Sequence, residues 1–337
     1  MLARNLWALL ASGFSHGSTS IFAPAGTPAH SIFSLSMLVL GITAAIFLVV
    51  AGMLLYAIVR YRHRASDINA AQEPPQIYGS TQIELSWTVI PILIVVLLFL
   101  ATTRIILSTQ NAPKPAAALD VTVVGHQFWW EFSYPKLGIV TANELHIPIS
   151  DPKHPTPTYL TMTSADTDHS FWVPRLAGKM DLIPNQINTM WLDPQAPGLY
   201  IGQCAQYCGI QHAKMLLRVY ADSPADFAAW VARQQKPANN DATLDQQAVA
   251  GRAVFQHSVC ISCHTVAGTV ATGRFGPNLT HIASRDTIAS GSVPNTPANL
   301  RAFIDNPAAF KPGVLMPAMH LNQHDLDAVT AYLSTLK

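Results

Sequence analysis

The sequence predicts a multidomain membrane protein: a two-helix transmembrane hairpin, then a β-sandwich or Greek-key barrel, then a small all-α domain. Three observations carry that reading. Two long apolar runs lie in the first third, Ile32–Val59 without a single charge and a second from just after Glu84 to Thr103. Short alternating segments broken by Pro and Gly occupy the middle of the chain, the pattern of many short strands. The remainder opens on a helix-capping pattern and carries Cys260-Ile261-Ser262-Cys263-His264. Composition agrees, because 12% charged and 50% hydrophobic residues is poor in charge for a water-soluble chain. A length of 337 residues suits two or three domains. The net charge of +1 offers no electrostatic footprint for nucleic acid. All 4 cysteines fall in two short motifs, which leaves none for a disulfide scaffold and favours metal or cofactor chemistry.

Residues 1–29 read as an N-terminal tail or a weak signal segment, with Arg4 before a short apolar stretch, Leu6–Ala11. Residues 30–110 form the hairpin, with helices at about 32–59 and 85–107 long enough to span a bilayer. Arg60, Arg62, His63 and Arg64 lie in the connection, so the positive-inside rule assigns that loop to the cytoplasm and everything after Arg104 to the outer face. Glu84 stands at the cytoplasmic end of the second helix, where an ordinary interfacial carboxylate is the plain reading.

Residues 117–222 hold the strand-like pieces: Leu119–Val124, Phe128–Tyr134, Thr158–Thr163, Ile187–Leu192, Leu199–Cys204 and Met215–Tyr220. Residues 223–242 are a helix and linker: Ser223-Pro224 starts the helix, and Lys236–Asp241 is exposed. Residues 243–337 make the helical domain, opened by the capping box Thr243-xx-Gln246. Thr296-Pro297 starts another helix that stops before Pro307. The last helix carries Leu326, Val329, Tyr332 (or Leu333) and Leu336 on one face.

The chemistry concentrates in Gly202–Met215. Cys208-xxx-His212-xx-Met215 has the thiolate, imidazole and thioether order of a blue-copper loop. Cys204 adds a second thiol that one copper does not need, and two thiolates on one loop can bridge two ions. The loop then lacks one imidazole, and His169, in Asp166–Pro174, is the best donor. A disulfide between Cys204 and Cys208 is the competing fate outside the cytoplasm. The soft sulfur and nitrogen donor set favours dinuclear copper. Cys260-xx-Cys263-His264 is the attachment signature of a c-type heme, with both thiols bonded to the vinyl groups and His264 on the iron. A zinc half-site would need further ligands, and no cysteine remains to supply them.

These motifs, with Gly125–Trp130 and Lys179–Pro184, resemble subunit II of the heme–copper cytochrome c oxidases, including its CuA centre. The resemblance runs from about Ile32 to the C-terminus and includes a fused cytochrome c domain, as in the caa-type enzymes. It implies a cupredoxin-like β domain in which His169, Cys204, Cys208 and Met215 hold one copper. Both thiolates, His212 and the backbone carbonyl of Gln206 would hold the other. The family usually has Glu where this chain has Gln206, and that carboxylate also binds magnesium. A neutral amide is a poorer ligand for so hard a cation, so a full magnesium ligand is not expected here.

The cytochrome c pattern in Lys311–Pro317 implies Met316 as the distal heme ligand, with Met319 as the fallback, and the Pro277 carbonyl as support for His264. Methionine ligation would suit a high-potential carrier. By the same likeness Glu84 marks the entrance of a proton path. Phe128 stands where the family usually has a tryptophan for electron entry, which is consistent with a tethered donor. The expected function is electron entry into a respiratory oxidase: external donor, heme c, CuA, then heme a of subunit I, where dioxygen becomes water. Subunits I and III, membrane lipid and an external cytochrome c or similar donor are the expected partners. A bacterial inner membrane is the expected location, with both cofactor domains outside. The predicted helices carry no histidines for further hemes, so this chain must pass electrons on. Three alternatives remain: electron entry into a CuA-containing nitric oxide reductase, a tethered copper-delivery module, and a tethered cytochrome whose copper site is lost.

Overall fold

A computed structural model of the chain describes residues 19–62, 76, 78–110, 114–116, 118–151, 155–238 and 244–337. The predicted signal-like residues Arg4–Ala11, together with His63, Arg64, Thr243 and the linker residues 239–241, lie outside these. The chain divides into two compact units, residues 31–112 and the rest.

The first unit is built on two helices, α1 (Thr27–Arg60) and α2 (Thr81–Gln110). Each is apolar on every face, with mean hydropathies of 2.7 and 2.6 over their best windows and none of those residues buried within the chain. A helix hydrophobic all round needs an apolar environment rather than one packed stripe. At 1.5 Å per residue, 34 residues reach about 51 Å, well past the roughly 30 Å hydrocarbon core. The helix therefore starts five residues ahead of the expected Ile32. Pro91 lies inside α2 without ending it.

In the second unit the chain before α1 is already structured. Ala25 N–H donates to the Arg175 carbonyl (2.7 Å), the Arg175 guanidinium returns a bond to Ala23 (2.8 Å), and Thr27 N–H meets Asp193 (2.7 Å). Residues 23–29 thus pack on the β domain, and the part of the predicted tail that is described is not a free tail.

Ten strands make that domain: β1 (Leu119–His126), β2 (Trp129–Tyr134), β3 (Ile139–Ala142), β4 (Glu144–Pro148), β5 (Thr158–Ser164), β6 (His169–Trp172), β7 (Met180–Leu182), β8 (Asn188–Leu192), β9 (Gly198–Cys204) and β10 (Leu216–Asp222). They form two five-stranded sheets, β3-β2-β1-β5-β8 and β4-β10-β9-β6-β7. Most pairs are antiparallel, but β1 runs parallel to β5 and β10 to β4. Alternation sets which face is inside: Val121 and Val123, Leu160 and Met162, and Leu217 and Val219 point inward and are buried. Trp130, Phe132, Tyr134 and Phe171 fill the space between the sheets. Each such side chain contributes roughly 1.5–3 kcal/mol on burial. The short strands β3, β4 and β7, three to five residues each, lie outside the segments expected as strands, and their burial does not alternate cleanly.

Helix α3 (Pro224–Gln234) follows, with Ser223 as N-cap accepting the Asp226 N–H, as its Ser-Pro start predicts. The helical domain contains α4 (Gln246–Gln256), the single turn α5 (Cys260–Cys263), α6 (Pro297–Asp305), the short α7 (Pro307–Phe310) and α8 (Gln323–Thr335), and it departs from the all-α expectation by one small antiparallel ladder between Thr287–Ile288 and Val293–Pro294. Asp245 caps α4 through the Ala248 N–H, a cap the Thr243 expectation missed. Thr296 caps α6, as predicted. Helices α4 and α8 cross at Gly251, where a Cβ would lie 1.8 Å from the Ala328 carbonyl oxygen. Only glycine lets the two backbones approach that closely. The predicted face of α8 is buried: Leu326, Val329, Tyr332, Leu333 and, just past the helix, Leu336 join Phe255, Leu300 and Ile304.

Candidate metal centre and cofactor cavity

The loop between β9 and β10 turns through Gly209 (φ +129°) and a 3-10 turn, His212–Lys214. Its base is pinned by the Cys204 N–H to the Met215 carbonyl (3.0 Å) and by the Ala205 N–H to the Ser170 carbonyl (2.9 Å). Phe171 pairs with Cys204 across β6 and β9, which brings His169 at the head of β6 beside the loop. Gly125 on β1 makes room for the imidazole, since a Cβ there would sit 2.7 Å from the His169 ring.

The potential donor atoms converge. Cys204 Sγ lies 3.9 Å from Cys208 Sγ, 3.9 Å from His169 Nδ1 and 3.1 Å from the Gln206 carbonyl oxygen. Cys208 Sγ lies 3.8 Å from His212 Nδ1 and 3.8 Å from Met215 Sδ. His169, Cys204 and Cys208 offer ligand atoms all within 4.8 Å of one another. Met215 and His169 are fully buried. The sulfurs are nearly twice the roughly 2.05 Å of a disulfide apart, and both cysteines are free, so the disulfide alternative is not the arrangement found.

Electrostatics favour a cation here. The hydrogen bond from Cys208 pulls the Cys204 thiol down to about 3 against the opposing effect of burial, and His169 adds to the pull. The Cys204 charge and burial push the Cys208 thiol up in turn. Two buried thiols at this separation cannot both ionise until positive charge enters between them. That donor set fits a pair of soft metal ions.

Behind the ligands stands Asp166. Its Oδ1 is 2.8 Å from His169 Nε2, which leaves Nδ1 turned toward the sulfurs. Its Oδ2 accepts the Gln127 backbone N–H at 2.6 Å. Asp166 and Gln127 lie in the quoted motifs but had no assigned role. A carboxylate three residues before a ligand histidine is the available signal for the first. Nothing in the linear sequence points to the second.

The helical domain, with Gln127–Trp129 and Asn143 of the β domain, lines a cavity of about 350 Å³. Cys260, Cys263, His264, Met316 and Met319 all line it, so the cavity brings the attachment motif and both methionine candidates to one place. His264 Nδ1 is 2.8 Å from the Pro277 carbonyl, the support the family likeness implied, which leaves Nε2 free to bind a metal. Burial lowers the His264 pKa and so favours the neutral ligand form. Gly276 lies against the ring, where a Cβ would be 2.6 Å from it. Arg285 also lines the cavity, and its buried Nε–H has no partner among the described residues. An unpaired buried guanidinium N–H fits a ligand bearing carboxylates, as heme does.

Phe128 is buried and lines the same cavity from the β domain, with its ring 3.1 Å from where a Gly209 Cβ would be. It therefore stands between the copper loop and the cavity. Glu84 is exposed in the first turn of α2.

Models of three families match the chain: the transmembrane domain of cytochrome c oxidase subunit II over residues 16–105, its periplasmic domain over 142–221, and cytochrome c over 248–337. The chain is 34% identical over 319 residues to the cytochrome c oxidase subunit 2 of Alkalihalophilus pseudofirmus, covering 93% of this chain and 90% of that one. It is 34% identical over 352 residues to the protein of the same name from Bacillus sp. (strain PS3), covering 98% and 95%. It is also similar to the crystal structure of the periplasmic domain of subunit II of cytochrome oxidase from Bradyrhizobium japonicum, at 26% identity and a TM-score of 0.34 over 36% of this chain and 97% of that one. The fold and site define a membrane-anchored electron-transfer subunit with a cupredoxin-like domain and a cytochrome c domain. The chain belongs to the cytochrome c oxidase subunit II family, and its cofactors are dinuclear CuA and heme c.

Proposed function

We propose that this chain takes single electrons from an external cytochrome c or similar donor at the heme domain and delivers them through the copper domain to subunit I. There dioxygen is reduced to water. The convergence of five donor groups from one loop with His169 from β6, in the same compact unit as a cavity lined by Cys260, Cys263 and His264, carries this reading. When bound, the copper pair and the heme supply one-electron carriers.

His169, Cys204, Cys208 and Met215 would hold one copper, and the two thiolates, His212 and the Gln206 carbonyl would hold the second. Residues 117–222 form that copper domain and 243–337 the heme domain. Cys260 and Cys263 would anchor the heme, His264 would bind its iron, and Met316 would supply a thioether to it, with Met319 as the alternative from the same cavity wall. Phe128 excludes water between the two sites. A carrier with a closed ligand set and a fused cytochrome suits relay rather than copper delivery. Arg60 at the end of α1 and Arg62 just after it support a cytoplasmic connection and an outer-face cofactor unit in a bacterial inner membrane. Subunit III is a further expected neighbour.

Copper and iron content of the full chain, matured with heme and purified in detergent, tests the reading. Two coppers and one iron per polypeptide are expected. One iron without copper would reduce the chain to a membrane-anchored cytochrome. Co-purification with a subunit that reduces nitric oxide and not dioxygen would transfer the same relay to the other enzyme class.

A further inference from the structure

We propose that Lys311 is a positioning residue that couples the heme-methionine loop to the copper-ligand frame. The inference rests on the ligand assignments above. Lys311 is only 2% exposed, an unusual place for an ammonium group. Its Nζ donates to the Phe128 carbonyl at 2.9 Å and to Ser290 Oγ at 3.0 Å. Ser290 donates its own hydroxyl to the same Phe128 carbonyl at 2.5 Å. One main-chain oxygen of the β domain thus collects two donors from the helical domain.

That oxygen is one residue from the copper frame. The Gln127 side chain donates to the Cys208 carbonyl at 2.7 Å, and the Gln127 backbone N–H is held by Asp166, the partner of His169. On the other side Lys311 begins the loop that reaches Met316. The Val314 N–H bonds back to the Lys311 carbonyl at 2.9 Å. The copper loop grips that segment directly as well. Gln211 donates to the Pro312 carbonyl, Lys214 Nζ donates to the Phe310 carbonyl at 3.1 Å, and a Cβ on Gly313 would lie 2.5 Å from Ile210.

A buried ammonium is costly unless its protons are taken up, and here an acceptor outside its own domain takes one. The arrangement therefore has a definite low-energy register between the two loops. Ordering of the copper loop is transmitted to the methionine loop through Phe128 and Lys311 in addition to these direct contacts. Burial also pulls the Lys311 pKa down to about 7, which marks how completely the group is withdrawn from water.

The test is hydrogen exchange, followed by mass spectrometry, on the full-length heme-loaded chain before and after titration with copper ions. In the wild type, copper is expected to raise protection of residues 308–316 as well as its own loop. In Lys311→Met the copper-dependent part of that protection should fall roughly tenfold, within the range of ordinary site-to-site coupling. Lys311→Arg should restore most of it. Ser290→Ala removes one neutral donor to the same carbonyl and should reduce the effect roughly threefold. It also serves if Lys311→Met fails to attach heme. Undiminished copper-dependent protection in Lys311→Met, or in Ser290→Ala where Lys311→Met does not fold, overturns the proposal. Absence of copper from the titrated wild type overturns the ligand assignment instead, so the two failures are distinguishable.

Discussion

Gln127 donates its side-chain amide to the Cys208 carbonyl at 2.7 Å, so the turn between β1 and β2 is fastened to the middle of the copper loop. The same residue's backbone is fastened to Asp166, and Asp166 to His169. One turn thus supports the copper site at two points without supplying a donor atom. Removing the side chain with Gln127→Ala leaves all six donors in place but frees the loop backbone. Copper should dissociate faster by roughly fivefold, the effect of one lost neutral hydrogen bond. Chelator competition measures it, and wild-type dissociation would show that the loop holds itself.

Asp166→Ala removes the carboxylate that orients the His169 ring. Copper affinity is expected to fall between about 10-fold and 100-fold, as when other outer partners of metal-ligating histidines are lost. Asp166→Asn keeps an acceptor and should lose less. Equilibrium titration against a competing chelator ranks the two.

Cys204→Ser removes the thiol that lies within 3.9 Å of both Cys208 Sγ and His169 Nδ1. Copper content should fall below two per chain while iron stays at one, because the two hydrophobic cores are distinct. Metal analysis and the heme absorption spectrum check this together. Loss of heme as well would mean that the helical domain needs the copper loop in order to mature.

Gly251→Ala should destabilise the helical domain by about 1–3 kcal/mol, the usual cost of overpacking. The methyl group would fall 1.8 Å from the Ala328 oxygen, and a carbonyl in the middle of α8 cannot swing aside as a side chain tip can. Chemical unfolding followed at the heme band measures the loss.

Glu144 is 3% exposed on β4, and its carboxylate accepts the Asp286 N–H at 3.0 Å, the Thr287 N–H at 2.8 Å and the Thr287 hydroxyl at 2.6 Å. Glu144→Leu would strand three donors and should cost roughly 3 kcal/mol of stability, since each orphaned buried group costs about 1–3 kcal/mol. Glu144→Gln should cost less. An unchanged unfolding midpoint in Glu144→Leu would show that water reaches those donors freely.

The hairpin was legible because a bilayer demands a long uninterrupted apolar run, and such runs are visible one residue at a time. The longer strands were legible because burial alternates along them, as at Val121 and Val123. Strands β3, β4 and β7 were not, since burial does not alternate cleanly along them. Caps followed the same logic. Ser223 and Thr296 announce themselves beside a proline, whereas Asp245 competes with the better-looking pattern two residues earlier.

The sequence by itself determined the chemistry available: two thiols, two imidazoles and a thioether for copper, and Cys260-xx-Cys263-His264 for heme. Donor type and short-range spacing are local properties, and loops of a few residues have few ways to present them. The tertiary structure alone decided which distant groups complete and connect those sites. His169 reaches Cys204 only through the pairing of β6 with β9, and Gln127, Glu144 and Lys311 gain their roles from contacts 81 to 183 residues apart in the chain. No short-range pattern encodes such contacts, because they follow from how two sheets and five helices share their buried surface.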